Sequence, residues 1–150
     1  MGSNWTREEL AYFAGIIDGE GCICLRTSKS QRKHIFATMI QVSNTDLRLL
    51  QWVQRRFGGM IHPHARPSGN RKLAFQWAAL SEDISSILEA ILPYMIVKRE
   101  QAELMLAYRK TLPEIVNTRR SSRKIDESIK VQRLALHSKF AELNKRGAAS

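Results

Sequence analysis

Between Tyr12 and Leu25 the chain reads YFAGIIDGEGCICL, a helical run of small and apolar residues that ends on two carboxylates, Asp18 and Glu20, set among glycines. Thr6 followed by Glu9 forms a capping box, so the helix is predicted to start near Arg7 and to run to about Asp18. Trp5 is placed to staple onto Leu10. Ala11, Gly15 and Gly19 recur four residues apart with Ala14 and Asp18 beside them, which leaves one helix face nearly bare of side chains. A bare face lets a second backbone approach closely, while Leu10, Phe13 and Ile17 plug the opposite side into the chain's own core. Packing alone gives no reason to end such a contact on two acids. Carboxylates gathered where helix ends meet make sense when a cation holds them together.

The elements that follow repeat a simple pattern. Residues 22–28 and 35–42 read as strands joined by the basic turn KSQRKH, a hairpin. Ser43, Asn44 or Thr45 can cap a second helix, whose stripe of Leu47, Leu50, Val53 and Phe57 is stopped by Gly58-Gly59. Residues 60–66 and 72–79 form a second hairpin about the turn PSGN. Ser81 caps a third helix with Ile84, Ile87, Leu88 and Ile91 inward, and a fourth helix runs from about Val97 to Thr111. The predicted class is α+β, in the order αββαββα, with an antiparallel sheet covered by helices on one face. Residues 1–112 make this core. Residues 113–150 are a basic helical extension of the same domain, opening on NTRRSSRK and continuing with Ile125, Ile129, Leu136, Phe140 and Leu143.

Strand alternation sorts the sheet residues. Ile23, Leu25, Phe36, Thr38, Ile40, Val42, Leu73, Phe75 and Trp77 are expected to face the core. The open face then carries Cys22, Cys24, Arg26, Ala37, Met39, Gln41, His62, His64, Arg66, Lys72, Ala74 and Gln76, a polar and partly basic surface. The formal net charge of +10 favours a polyanionic partner. No apolar run approaches the ~18 residues of a membrane helix, and no secretory signal is visible. Gly2 matches a myristoylation pattern, yet neither a polybasic stretch nor a second lipid signal adjoins it. Cys22 and Cys24 lack the second cysteine pair of a zinc site, and His62 and His64 lack a third ligand, so contact with bases or phosphates suits the histidines better. Two unpaired-looking cysteines fit a reducing intracellular compartment.

The nonapeptide Phe13 to Gly21, FAGIIDGEG, resembles the signature of the LAGLIDADG homing endonucleases, with Phe13 for the first leucine, Gly19 for the alanine and Glu20 for the last acid. The likeness extends more weakly through Gln41-Val42-Ser43-Asn44, Arg48, and Leu92-Pro93 to Lys98. One copy of the motif implies, by similarity to that family, a homodimer packed through Ala11, Ala14, Gly15, Asp18 and Gly19 across a two-fold axis. The resemblance further implies that paired Glu20 carboxylates and Gly19 carbonyls bind Mg²⁺, with Mn²⁺ able to substitute and Ca²⁺ supporting binding without fast cleavage. Asn44, Arg48 and Lys98 would order water and neutralise charge around that metal, and Asp18 would act through structural contacts first and as a ligand second. The family lays its strands in the DNA major groove, so the open-face residues, with Ser28, become candidates for base contact. Lys29, Arg32, Lys33 and Arg71, with Arg119, Arg120, Arg123 and Lys124 of the extension, would grip phosphates.

The activity implied is a double-strand break in a long pseudo-palindromic DNA site, with short 3′ overhangs. Double-stranded DNA and a second copy are the expected partners, no membrane or small-molecule substrate is expected, and intron RNA stays open. The alternative is an RNA-binding intron maturase, or a non-cleaving DNA-binding protein on the same scaffold. The compartment follows the host genome and is open among cytoplasm, chloroplast and mitochondrion.

Overall fold

Helix α1 (Arg7–Glu20) starts on its capping box as expected: the Glu9 amide donates to Thr6 Oγ1 at 3.2 Å and the Thr6 amide to Glu9 Oε2 at 3.0 Å. The computed structural model describes residues 3–27, 36–65, 69, 72–112 and 127–148. Trp5 does not simply staple its own helix. Its ring lies 5.0 Å from that of Phe57, and its indole N–H donates to the Arg56 carbonyl at 2.7 Å. Glu9 also accepts from the Arg56 guanidinium, so the start of α1 is tied to α2 (Leu47–Phe57) by both apolar and charged contacts.

Helix α1 runs two residues beyond the expected end and passes without a loop into strand β1 (Gly21–Thr27). Only glycine fits at that junction, because a Cβ on Gly21 would sit 2.7 Å from the Ile17 Cα and 2.8 Å from its carbonyl oxygen. Strand β1 pairs antiparallel with β2 (Phe36–Asn44), which pairs with β4 (Ala74–Ala78), and β4 with β3 (Met60–Ala65), giving the order β1-β2-β4-β3. The protein is thus α+β with a four-stranded antiparallel sheet, as predicted. Pro63 occupies an outer strand, where a sheet tolerates proline, and the register shifts between Pro63 and Ala65.

The inner sheet face and the helices share one core. Phe13 stacks on Phe57 at 4.1 Å and meets Trp77 edge-on at 5.6 Å, while Ile23, Ile40, Val42, Leu50, Val53 and Trp77 are essentially fully buried. The Trp77 indole satisfies its N–H on the Gly58 carbonyl at 2.7 Å, which requires Gly58 and Gly59 to turn tightly beneath it at φ 71° and 87°. Helix α3 (Ile84–Ile91) contributes all four expected apolar residues. Helix α4 (Arg99–Lys110) buries Ala102, Met105 and Tyr108, and α5 (Glu127–Ala148) lays Phe140 and Leu136 against the same core.

Several expectations need correction. Helix α2 is capped by Asp46, whose carboxylate accepts from the Arg48 amide, because Ser43 and Asn44 remain in strand β2. Ser81 caps nothing with its side chain. A 3₁₀ turn at Ser81–Asp83 precedes α3, and the Ser81 carbonyl instead accepts from Arg109 at 2.7 Å. Leu73 lies ahead of β4 and is 40% exposed rather than inward. Ala14 is buried in the chain's own core beside Phe13 and Ile17, since it sits three residues before Ile17 on the inward side of α1, not on the bare stripe.

Candidate active site and nucleic-acid interface

The two acids of the opening motif have separate surroundings. Asp18 turns toward the start of α4, where one carboxylate oxygen accepts from the Ile96 amide at 2.8 Å and the other from the Lys98 amide at 2.9 Å. Lys98 answers by donating its ammonium to the Ile17 and Asp18 carbonyls at 2.9 and 2.8 Å. These are carbonyls of the last turn of α1, the negative end of the helix dipole. Asp18 and Lys98 therefore clasp the end of one helix to the beginning of another. Partial burial is the main influence on Lys98 and lowers its pKa, opposed by the charges of Asp18 and Cys22.

Glu20, two residues beyond Asp18, is exposed. Its Oε2 accepts from Asn44 Nδ2 at 2.7 Å, and Asn44 Oδ1 accepts from the Asp46 amide at 2.7 Å. The asparagine thus holds the carboxylate from the end of β2 while bracing the turn into α2. Arg48 does not join them: its guanidinium forks onto Asp46 at 3.0 and 2.6 Å, with its side chain 88% exposed. Hydrogen bonding to Arg48 is the chief reason the Asp46 pKa falls to about 2.

Beside Glu20, the small-residue face of α1 is open. Ala11, Gly15 and Gly19 are exposed, and a Cβ added at Gly15 or Gly19 would meet nothing within 4 Å. A shallow groove lined by Ala11, Tyr12, Gly15, Ile16, Glu20 and Leu49 runs along it. Ile96 and Val97, 85% and 70% exposed, stand next to the clasp. Among the described residues no three His, Cys, Asp or Glu side chains gather closely enough to hold a metal ion. The Glu20 carboxylate and the Gly19 carbonyl are the oxygen donors that a hard divalent cation takes, and one chain brings a single carboxylate to this place.

The open sheet face begins at the same place. Cys22 pairs across to Gln41, Cys24 to Met39 and Arg26 to Ala37. Arg26 and Ala37 are exposed, and Met39 is half-buried. Gln41, expected outward, is 6% exposed because it occupies a central strand between Cys22 and Ala78, and Cys24 is likewise 8% exposed. Their backbone positions still belong to the outer face, but neither presents much surface. On the far side His62 lies 3.2 Å from Gln76 Oε1, and Gln76 Nε2 donates to Ser43 Oγ at 3.3 Å, a polar chain crossing three strands. Ser43 escaped notice in the sequence because it also reads as a helix cap, although alternation from Gln41 assigns it to this face. His64 is exposed at the register shift, Lys72 is exposed ahead of β4, and Ala74 is half-buried. Ser28, Lys29, Arg32, Lys33, Arg66, Arg71, Arg119, Arg120, Arg123 and Lys124 lie outside the described residues.

The two thiols influence each other. Cys22 is exposed, and the hydrogen bond from Cys24 holds its pKa down at about 6, helped by Arg26 and Lys98. The same hydrogen bond and burial push Cys24 far up.

Solved structures that share this architecture include several homing endonucleases. The homing endonuclease I-CvuI, solved in complex with the I-CreI target in the presence of Mg, superposes with a TM-score of 0.70 over 91% of this chain and 82% of its own, at 24% identity. The archaeal intron-encoded homing endonuclease I-Vdi141I, complexed with DNA, gives 0.71 over 91% and 84% of the two chains at 13% identity. The LAGLIDADG homing endonuclease I-GzeII in complex with its DNA target gives 0.64, with 85% of this chain matched to 43% of its own at 18% identity. What is shared at these identities is the fold. No protein-family profile and no curated protein matches the sequence.

Proposed function

We propose that this protein is a homodimeric, divalent-metal-dependent, site-specific DNA endonuclease that breaks both strands of a long, near-palindromic duplex and leaves short 3′ overhangs. The observation that carries the reading is the placement of Glu20: exposed, held by Asn44, and set where the open stripe of α1 meets the open face of the sheet. Two copies related by a two-fold axis through that stripe would bring two Glu20 carboxylates and two Gly19 carbonyls together beneath two sheets. Mg²⁺ held there, with Mn²⁺ as a substitute and Ca²⁺ as a slow-cutting surrogate, would supply charge stabilisation and an activated water to phosphodiester hydrolysis.

The chain's own residues have distinct tasks in this reading. Asn44 fixes the Glu20 carboxylate and so limits which oxygen can turn toward the scissile phosphate. Asp18 and Lys98 set the angle between α1 and α4, and the Lys98 ammonium adds positive charge close to the backbone phosphate. Arg48 would exchange its exposed pairing with Asp46 for a phosphate when DNA is present. Strand β2, nine residues long, spans ~30 Å, about the length of nine base pairs. Arg26, Lys72, His62 and Gln76 would meet base edges there, with Cys22, Met39, Ala37 and Ala74 against thymine methyls. Residues 113–150 would belong to the same domain as the core and add phosphate contacts along the flanks.

The test is selection of bound duplexes from a random library in Ca²⁺, followed by Mg²⁺ and mapping of cut ends. A near-palindrome of about twenty base pairs, cut on both strands near its centre, is expected. Enrichment without cutting would transfer the function to a DNA-binding or maturase role on the same scaffold. Glu20→Gln should abolish cleavage and spare binding; retained cleavage refutes the assignment of Glu20.

A further inference from the structure

Cys22 and Cys24 stand two residues apart on β1, and Ile23 between them is 1% exposed in the core, so alternation directs both thiols to the open face. Cys22 is exposed and Cys24 is buried. Strand β1 is an outer strand, paired on one edge only, and it follows the glycine hinge at Gly21 directly. Among the described residues no His, Cys, Asp or Glu gathers with the two thiols into a set of three.

We propose that Cys22 and Cys24 are a peroxide-responsive dithiol, closing to an intrastrand disulfide that loosens the hold of this face on DNA. The second half of that statement rests on the DNA-binding reading above. The exposed Cys22 thiolate attacks a peroxide oxygen, the O–O bond breaks, and the released hydroxide leaves as water with the thiol's proton. Cys22 is then a sulfenic acid. The Cys24 thiol attacks its sulfur, the S–O bond breaks, and a second water departs with the Cys24 proton. Two thiols have lost two electrons and two protons, and hydrogen peroxide has become two waters.

The division of labour follows exposure: the open thiol meets the oxidant, and the covered one is reserved for resolution. Residues two apart on an antiparallel strand have Cα atoms about 6.8 Å apart, the upper end of the span a disulfide tolerates. Closure must therefore draw β1 together, shifting the strand that carries the DNA-facing Arg26 and begins one residue after Glu20. A bond closed under such strain is readily reduced, which makes the change reversible.

The test treats the full chain with hydrogen peroxide, blocks remaining thiols with iodoacetamide, and weighs the peptide containing both cysteines, while binding to the selected duplex and to a random duplex pool is measured in parallel. Expected are loss of two hydrogens with neither cysteine alkylated, binding weakened about tenfold, and reversal of both by millimolar glutathione. Cys22→Ser and Cys24→Ala should each lack both responses. Alkylation of both cysteines after peroxide, or sulfinic acid at Cys22 beside a free Cys24, overturns the proposal. So does a disulfide that leaves DNA affinity unchanged. A reduced protein that binds neither duplex refutes the DNA-binding reading instead, and the peptide mass still decides whether the thiols couple.

Discussion

Replacing Gly15 by alanine separates two explanations of the bare face of α1. A Cβ at Gly15 meets nothing within 4 Å in the single chain, so the added methyl costs no packing there. Alanine is favoured over glycine inside a helix by about 1 kcal/mol, chiefly through lost backbone freedom in the unfolded chain. With an unfolding entropy of about 2.1 cal/mol/K per residue over 150 residues, that gain raises the Tm of the monomer by about 3 °C. In the proposed homodimer the sign reverses. The same methyl, present twice, lies between two backbones whose approach depends on its absence, and Gly15→Leu should weaken association far more, by at least about a hundredfold, or 2.7 kcal/mol. Calorimetry on dilute protein reads the first effect, and sedimentation across a concentration series reads the second. A Gly15→Leu variant that dimerises like the wild type would refute the interface. A lowered monomer Tm in Gly15→Ala would show that the face is covered within the chain.

Other expectations concern what holds the site in place. Tyr108 is fully buried, and its hydroxyl accepts from the Phe36 amide at 2.8 Å and donates to the Phe36 carbonyl at 3.2 Å. Tyr108→Phe leaves both backbone groups unpaired and should cost about 2 kcal/mol in urea denaturation. Asp18→Ala orphans the Ile96 and Lys98 amides, and should lower stability by about 2 kcal/mol and reduce DNA cleavage more than DNA binding. The Asp46 carboxyl should titrate near 2 by NMR and return toward the ordinary aspartate range in Arg48→Ala. Because its folded pKa is depressed, what the pair contributes to stability is present above the unfolded pKa of about 4 and fades as pH falls toward 2.

The element order and the inward stripes were legible because periodicity is set by burial: Phe36, Ile40, Val42 and Trp77 face the core as their alternation requires. Ends were harder. Ser43 and Asn44 have the side chains of helix caps, but pairing with Gln76 and Phe75 of β4 keeps them in the sheet, and the cap passes to Asp46. Ala14 failed for a similar reason, since small residues suit both a crowded core and a close interface. The partnership of Asn44 with Glu20 was invisible to spacing. It joins residues 24 positions apart, and only the return of β2 alongside the end of α1 creates it.

Asp18 and Glu20 show why one short motif carries two kinds of carboxylate. Successive helical residues turn by about 100°, so residues two apart point to nearly opposite sides, and the acids of a D-G-E sequence cannot share one ligand shell within a single helix. Asp18 is directed to the backbone donors at the start of α4, which occupy both of its oxygens, and Glu20 is directed to the open side with Asn44. Each chain therefore brings one available carboxylate to the junction of helix and sheet. In the proposed homodimer a cation site at that junction would take the other from a second chain, and the exposed glycines of α1 lie on the face that would let it come close enough.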